Sequence, residues 1–559
     1  MASVELSSKV IIKPAVYASA KAAGLSVNMI SRNIVDVYSD DAEKVAEWAK
    51  TQTDLSQNTY PIKMAPRLIG TAPTRMNPAT STRVNPAAAG RSWFKMNEIA
   101  AIYGIPAPVS STKVVVGVVS FGGGLYGTID ANGVLTGGDC QAYWTSIGIA
   151  PANHPRVIVK PILGAINSPN VNDGGSTYEN TLDVEVIGGA CPSPNLTIIL
   201  YIAPNTLNSF PALLNYMYST PVVVNSVSYK PTIISCSWGA PEIYYGTTLL
   251  NNINSIFASM TSSGMNICVA TGDNGSNDGV GGSANYVDFP SSSPNVTAVG
   301  GTRLVCANNT YDARTVEQAW SSGGGGISGV FAKPAYQTAL SAIRRSTPDI
   351  AADADPNTGV VFTVNASNLV FGGTSVSAPI IAAFLAAVNC TTFVNPLLYG
   401  APTTCFHDIA SGSNGSFNSR SGYDNCTGLG SIIGVNLSNS LKNIVRVSGV
   451  AITLATTSLL KGSSYQATAV IVPVNASDKS VTWASSNTAV ATVSSTGLIT
   501  AVKVGTANIT ATTHDGSKVG TKSVSVYQSS RASIMTSGNT KYSLYGTAAS
   551  VGRSRPRSL

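Results

Sequence analysis

Charge is scarce in this chain. Only 11% of its 559 residues are Asp, Glu, Lys or Arg. That excludes a highly charged disordered protein, which stays soluble through dense like charge. The formal charge is +7, and part of the excess sits in the C-terminal "GRSRPRSL". No motif that reads DNA or RNA accompanies it, so no nucleic-acid partner is expected. No apolar run is long enough to span a membrane. The opening "MASVELSSKVIIKPAVYASAKAAGL" lacks the unbroken apolar core of a secretory signal. The eight cysteines form no C-x-x-C, which argues against a zinc site. Cys405 and Cys426 flank a loop and are candidates for a disulfide, whereas Cys236 and Cys268 lie in apolar runs and read as buried thiols. Many triplets of the N-x-S/T type occur, those at Asn195, Asn295, Asn365 and Asn475 among them, and a Ser/Thr-rich chain supplies several by chance.

Histidine is scarcest of all, with residues only at 154, 407 and 514. His154 lies between prolines in "APANHPRV", His407 precedes an Asp in a loop, and His514 falls in a late β-rich region. None has the context of an imidazole held against a nucleophile, so a Ser-His-Asp triad is not expected.

Glycine, by contrast, numbers 52, in keeping with a loop-rich globular protein. The length suggests about two to four domains. Residues 1–63 form a short mixed segment, with "NIVDVYSDD" reading as a strand and "DAEKVAEWAKTQ" as an amphipathic helix. Residues 64–92 are rich in Pro, Ala, Thr and Arg without periodicity, which predicts a linker or cleavable loop. Between 93 and 442, runs such as "KVVVGVVSF", "RVIVKPIL", "LTIILYIA", "PTIISCSW" and "MNICVATG" alternate with helical stretches such as "TTLLNNINSIFASM". Runs that are apolar throughout predict strands buried on both faces, hence a parallel sheet flanked by helices in an α/β fold. Residues 447–527 alternate apolar and polar positions and predict a small antiparallel β-sandwich, followed by a basic tail over 528–559.

Three stretches carry chemistry. "FGGTSVSAPIIAAFLAAVN" places Ser375 before an apolar helix, where it reads either as a nucleophile or as a helix cap. "GGSTYENTLDVEVIGG" places Glu179 and Asp183 four apart, on one helix face. Two carboxyls so close share a proton in acid and can accept one from a serine hydroxyl. Ser176-x-x-Glu179 also fits a capping box. "VATGDNGS" places Asp273 just past a strand, as a turn residue or as a protonated donor to an oxyanion.

Glu179-x-x-x-Asp183, Asp273 and Gly373-Thr374-Ser375 together resemble the sedolisins, the serine-carboxyl peptidases. "IISCSWG", "DFPSSSPNVTAVGGT", "AWSSGGGGIS", "PDIAADADP" and "NPLLYG" follow in the family's order over roughly residues 93–440. The resemblance implies a subtilisin-like fold and polypeptide substrates. It implies Glu179 as base to Ser375, Asp183 orienting Glu179, and Asp273 as oxyanion donor. It further implies a calcium ion in "HDIASGSNGSFNSRSGYDNCTGLGS", held by the carboxylates of Asp408 and Asp424 and the carbonyls of Ile409, Arg420 and Gly422. The family has Gly where Arg420 stands, which a carbonyl ligand tolerates. About ninety residues precede the matching region, fewer than the family's long prodomain. "TWASSNTAVATVSSTGLITAVKVGTANITA" resembles a bacterial Ig-like domain of the second group, a module of surface and virion proteins. The leading expectation is an acid-acting peptidase. The alternative is a structural or adhesive surface protein on the same scaffold, attached through the Ig-like domain. The compartment is left open.

Overall fold

The computed structural model describes residues 93–528, with breaks at 109–110, 207, 281–283, 443–446, 475, 477, 514 and 516–517. Of residues 1–92 it describes only the backbone of Ser8–Ile11, Ser26–Ser31, Ile34–Tyr38 and Ala65–Pro66. The first three of these pair antiparallel into one small sheet. The helix expected in "DAEKVAEWAKTQ" lies outside the described residues. The chain divides into two units, residues 1–444 and 445–559.

The first unit is built on a twelve-stranded sheet. Its parallel core uses β1 (Val114–Phe121), β2 (Arg156–Pro161), β3 (Leu196–Ala203), β4 (Ile233–Cys236), β5 (Asn266–Ala270), β6 (Thr297–Val305) and β7 (Ile350–Asp353). Their order across the sheet is β2-β3-β1-β4-β5-β6-β7, with every pairing parallel. All eight residues of β3 and all five of β5 are buried, and apart from Thr197 and Asn266 these segments are apolar.

Two helices that matter most lie on one face. Helix α1 (Ser176–Ala190) follows β2, and helix α2 (Thr374–Ala387) follows a hairpin of Val360–Val364 and Ser367–Phe371. They pack on each other and share a core with Val116, Val118, Ile198, Leu200 and Ile233. Helices Ser209–Ser219 and Thr247–Ser262 cover the opposite face through Phe210, Leu214, Ile253 and Phe257. Every residue of α2 is buried, so it is a core helix and not a surface amphipath.

The second unit contains two four-stranded sheets between Gly449 and Tyr527. Strand Gly505–Thr513 alternates exposed and buried positions, and its Ala507, Ile509 and Ala511 join Leu459, Ile499 and Val524 in a core. One pairing departs from the antiparallel expectation: Ser458–Leu460 runs parallel to Ser525–Tyr527. All eight cysteines are free and buried, so Cys405 and Cys426 do not form a disulfide. Cys426 instead donates to the Phe417 carbonyl. Among the described residues no helix is long and apolar enough to cross a membrane.

Candidate active site

The loop entering α1 decides what Ser176 and Glu179 do. Gly175 precedes the helix with φ of 105°, a left-handed conformation that suits glycine. Gly175 is the N-cap residue, and Asp173 two residues before it supplies a carboxylate that accepts the Thr177 N–H at 3.0 Å and the Thr177 hydroxyl at 2.6 Å. Ser176 lies inside the helix and donates to the Phe121 carbonyl. No capping box forms, and Glu179 is left for another purpose.

The loop entering α2 settles Ser375 in the same way. Gly373, at φ of 115°, occupies the N-cap position, and its N–H donates to the Ala354 carbonyl at 2.6 Å. The Thr374 N–H that follows donates to Asp273 Oδ1 at 2.7 Å. Ser375 is therefore the second residue of the helix and caps nothing. Pro379 sits at its sixth position, beyond the first turn, where a proline removes an internal hydrogen bond.

Asp273 stands just past the C-terminal end of β5 and Ser237 just past that of β4, at the edge where open α/β sheets carry their sites. Ser237 Oγ donates to Asp183 Oδ1 at 2.8 Å and lies 3.5 Å from the Ser375 carbonyl oxygen. Asp273 also accepts the Thr374 hydroxyl at 2.8 Å. Glu179, Asp183 and Ser375 have no exposed surface, and Asp273 is nearly covered. A cleft of about 500 Å³ opens beside Asp273, lined by polar residues that include Asn274, Ser276, Ser322 and Asn414.

The electrostatics of the cluster are those of crowded acids. Burial raises Glu179 well above the usual carboxylate range, and the neighbouring Asp183 and Asp273 push it further. The Ser375 and Ser237 hydroxyls oppose that rise by favouring the ionised form. Burial raises Asp183 as well, again opposed by Ser237. The Ser375 hydroxyl is near enough to influence Glu179, yet no hydrogen bond joins them in this resting geometry. Ser375 Oγ, both Glu179 carboxylate oxygens and Asp183 Oδ2 are all buried without a hydrogen-bond partner. Buried polar atoms normally pair, so these four atoms are exceptions grouped around one carboxyl pair. The arrangement brings together a hydroxyl, a pair of acids, and a further carboxyl at the start of the helix that bears Ser375.

None of the described histidines joins this group. His154 bonds the Ile149 carbonyl and packs on Trp144. His407 stacks on Tyr311, and burial lowers its pKa to about 4. His514 lies outside the described residues.

The late loop is separate. Asp408 Oδ1 accepts the Gly422 N–H at 3.0 Å, and Asp424 Oδ2 accepts the Arg420 N–H at 3.1 Å. Asp424 Oδ1 also accepts the N–H groups of Cys426 and Thr427. Two carboxylates thus bracket residues 420–422. Among the described residues no group of three or more His, Cys, Asp or Glu side chains is placed to share a metal. Any ion here would draw the rest of its shell from backbone carbonyls.

A model of the subtilase family matches residues 178–390, and one of the bacterial Ig-like domain (group 2) matches residues 446–524. Kumamolisin of Bacillus sp. (strain MN-32) is 32% identical over 370 residues, covering 62% of this chain and 63% of that protein. Sedolisin of Pseudomonas sp. (strain 101) is 28% identical over 364 residues, covering 60% of this chain and 59% of that protein. Among solved structures, a Pseudomonas sedolisin (serine-carboxyl proteinase) complexed with two molecules of pseudo-iodotyrostatin matches with a TM-score of 0.54 and 26% identity. The match covers 64% of this chain and 99% of that one. The α/β domain is similar to the sedolisins. The chain spans less than two thirds of the length of either curated relative.

Within this α/β domain, sequence reading missed two hydroxyls. Thr374 orients Asp273, and Ser237 binds Asp183. Both lie inside motifs that the resemblance rests on, "GGTS" and "SCSWG". No local pattern assigns either a partner, because the partners are about a hundred and about fifty residues away in sequence.

Proposed function

We propose that this protein is a serine-carboxyl peptidase that hydrolyses peptide bonds in acid, with Ser375 as nucleophile. The observation that carries the reading is the cluster of buried, unpartnered atoms on Ser375, Glu179 and Asp183. Glu179 takes the Ser375 proton as the oxygen attacks the substrate carbonyl carbon, then returns it to the leaving amine. Asp183 shares a proton with Glu179 and orients it. Burial and mutual repulsion disfavour ionisation of both members at once. Asp273 donates its O–H to the tetrahedral oxyanion. With Oδ1 accepting two donors from Thr374, Oδ2 is the oxygen suited to carry that proton. Water then resolves the acyl-enzyme by the same route in reverse.

We further propose calcium in the loop of Asp408 and Asp424. Asp424 is buried, and burial raises its carboxyl above the usual range. Among the described residues neither aspartate has a Lys or Arg ion-pair partner. A cation would offset that charge, and an all-oxygen set with the Ile409, Arg420 and Gly422 carbonyls suits a hard ion. When bound, calcium would pin this loop and take no part in the chemistry.

The test is hydrolysis of a denatured protein at pH 4 and pH 8. We expect cleavage at the lower pH and loss of about 10⁴–10⁶-fold in kcat for Ser375→Ala with an unchanged fold. Turnover by that variant, or a rate that climbs through neutral pH, would overturn the assignment. A structural protein on the same scaffold would show no turnover at either pH.

A further inference from the structure

Pro379 leaves a gap in α2 that falls on the nucleophile itself. In a regular helix the N–H of residue 379 would donate to the carbonyl of residue 375. Proline has no N–H, so the Ser375 carbonyl lacks that intrahelical donor. The Ser237 hydroxyl lies 3.5 Å from this oxygen and 2.8 Å from Asp183 Oδ1, and it has no exposed surface.

We propose that Ser237 is a positioning residue whose single hydroxyl ties the Asp183 carboxyl to the Ser375 backbone, holding acid pair and nucleophile in one register. The inference rests on the peptidase reading above and adds to it a residue that never touches substrate.

A hydroxyl has one proton and two lone pairs. With Asp183 ionised, Ser237 donates to it, as the shorter distance indicates. With Asp183 Oδ1 protonated, Ser237 accepts that proton and can turn its own toward the Ser375 carbonyl. The same group therefore serves both protonation states that catalysis needs. Methyl in its place would leave Asp183 Oδ1 bare beside the already unpartnered Oδ2, and would take from the Ser375 carbonyl the donor that Pro379 withholds. The ionised pair would suffer most, since it loses a donor at the moment it must act as base. The titratable groups that bear on the pair are its own two members and Asp273. Among the described residues no Lys, Arg or His is among them. A merely space-filling serine would affect stability and leave the ionisation of the pair untouched, which separates the two roles experimentally.

The experiment uses the full chain, with Ser237→Ala, Ser237→Thr and Ser375→Ala, and measures kcat and KM from pH 2.5 to 7. For Ser237→Ala we expect kcat to fall about tenfold or more with KM near wild type. We also expect the acid limb to move upward by about one pH unit, as loss of one hydrogen bond to a charged group implies. Ser237→Thr should restore both values. If alanine at this buried position lowers the melting temperature so far that the protein is unfolded in the assay, Ser237→Cys takes its place. Cys is near-isosteric, is a weak donor, and is expected to move the acid limb in the same direction. A folded Ala or Cys variant with the wild-type acid limb would overturn the proposal. So would a folded Thr variant no better than Ala. Activity in Ser375→Ala, or none in wild type, would instead overturn the peptidase reading on which the proposal stands.

Discussion

Asp273 Oδ1 accepts the Thr374 N–H at 2.7 Å, so the proposed oxyanion donor is fastened to the residue before the proposed nucleophile. Asparagine can keep that bond through its carbonyl and offer an N–H where the carboxyl offers an O–H. An amide donates at any pH, whereas an ionised carboxylate repels the oxyanion. Asp273→Asn is therefore expected to retain part of the activity and to carry it to higher pH. Asp273→Ala should lose about 10²–10³-fold in kcat. Profiles of kcat/KM against pH for both variants test this. An Asn variant that falls at the wild-type pH would rule out Asp273 as the titrating donor.

Buried acids outside the site make stability depend on pH as well. Burial raises Glu185 and Asp353 well above the usual carboxylate range. The folded protein then holds these protons more tightly than the unfolded chain does. The resulting stabilisation is fully present below the unfolded values near pH 4, and is lost as the pH rises through the higher folded values. The melting temperature should peak in acid and decline toward pH 8. Glu185→Gln, whose amide carbonyl can still accept the Thr363 N–H, should flatten that decline, by about 2–4 °C for each kcal/mol recovered at neutral pH. A melting temperature that climbs from pH 4 to 7 in the wild type would contradict this account.

Calcium removal should act on stability before activity. At a free concentration about a hundredfold above Kd, a bound ion contributes about 2.7 kcal/mol to the folded state. EGTA is expected to lower the melting temperature by several degrees. Asp424→Ala should start from the lowered value and respond no further to EGTA. Melting curves that coincide with and without the chelator would remove the site.

Ala65–Pro66 pairs antiparallel with Trp238–Gly239, immediately after Ser237. Ser375 has no exposed surface in this state. Cleavage between about residues 60 and 93 is expected to free that strand edge and raise activity. Ser375→Ala should keep Met1 if the reaction is self-catalysed. N-terminal sequencing of both proteins during incubation at pH 4 decides. Full activity in a chain that retains Met1 would exclude this form of control.

The sequence made parts of this site legible and hid others for definite reasons. Glu179 and Asp183 could be paired on sight because they share one helix turn. The strands of the parallel sheet could be read because burial on both faces leaves unbroken apolar runs. Ser176-x-x-Glu179 misleads as a capping box because Asp173 captures the helix start first. That competition depends on the loop's path, which no spacing rule encodes. Ser375, Asp273 and Ser237 come to one side of the sheet because β4 and β5 end there and α2 begins there. Their proximity is a property of strand order, and motif resemblance alone anticipated the first two. A Cys405–Cys426 bridge suggested itself from loop position, yet each thiol is buried in its own setting.

Trp238–Gly239 is paired on one side by Ala65–Pro66, and the edge it would present without that segment has a consequence for what a peptidase of the proposed kind could be fed. Recognition by strand pairing engages N–H and C=O groups that every residue possesses, so it discriminates shape more than composition. A compact protein offers few free extended segments. Acid unfolds many proteins by protonating the carboxylates that hold them together. The medium that suits the Glu179–Asp183 pair would thus also prepare the meal, and selectivity would lie in which neighbours lose their structure first.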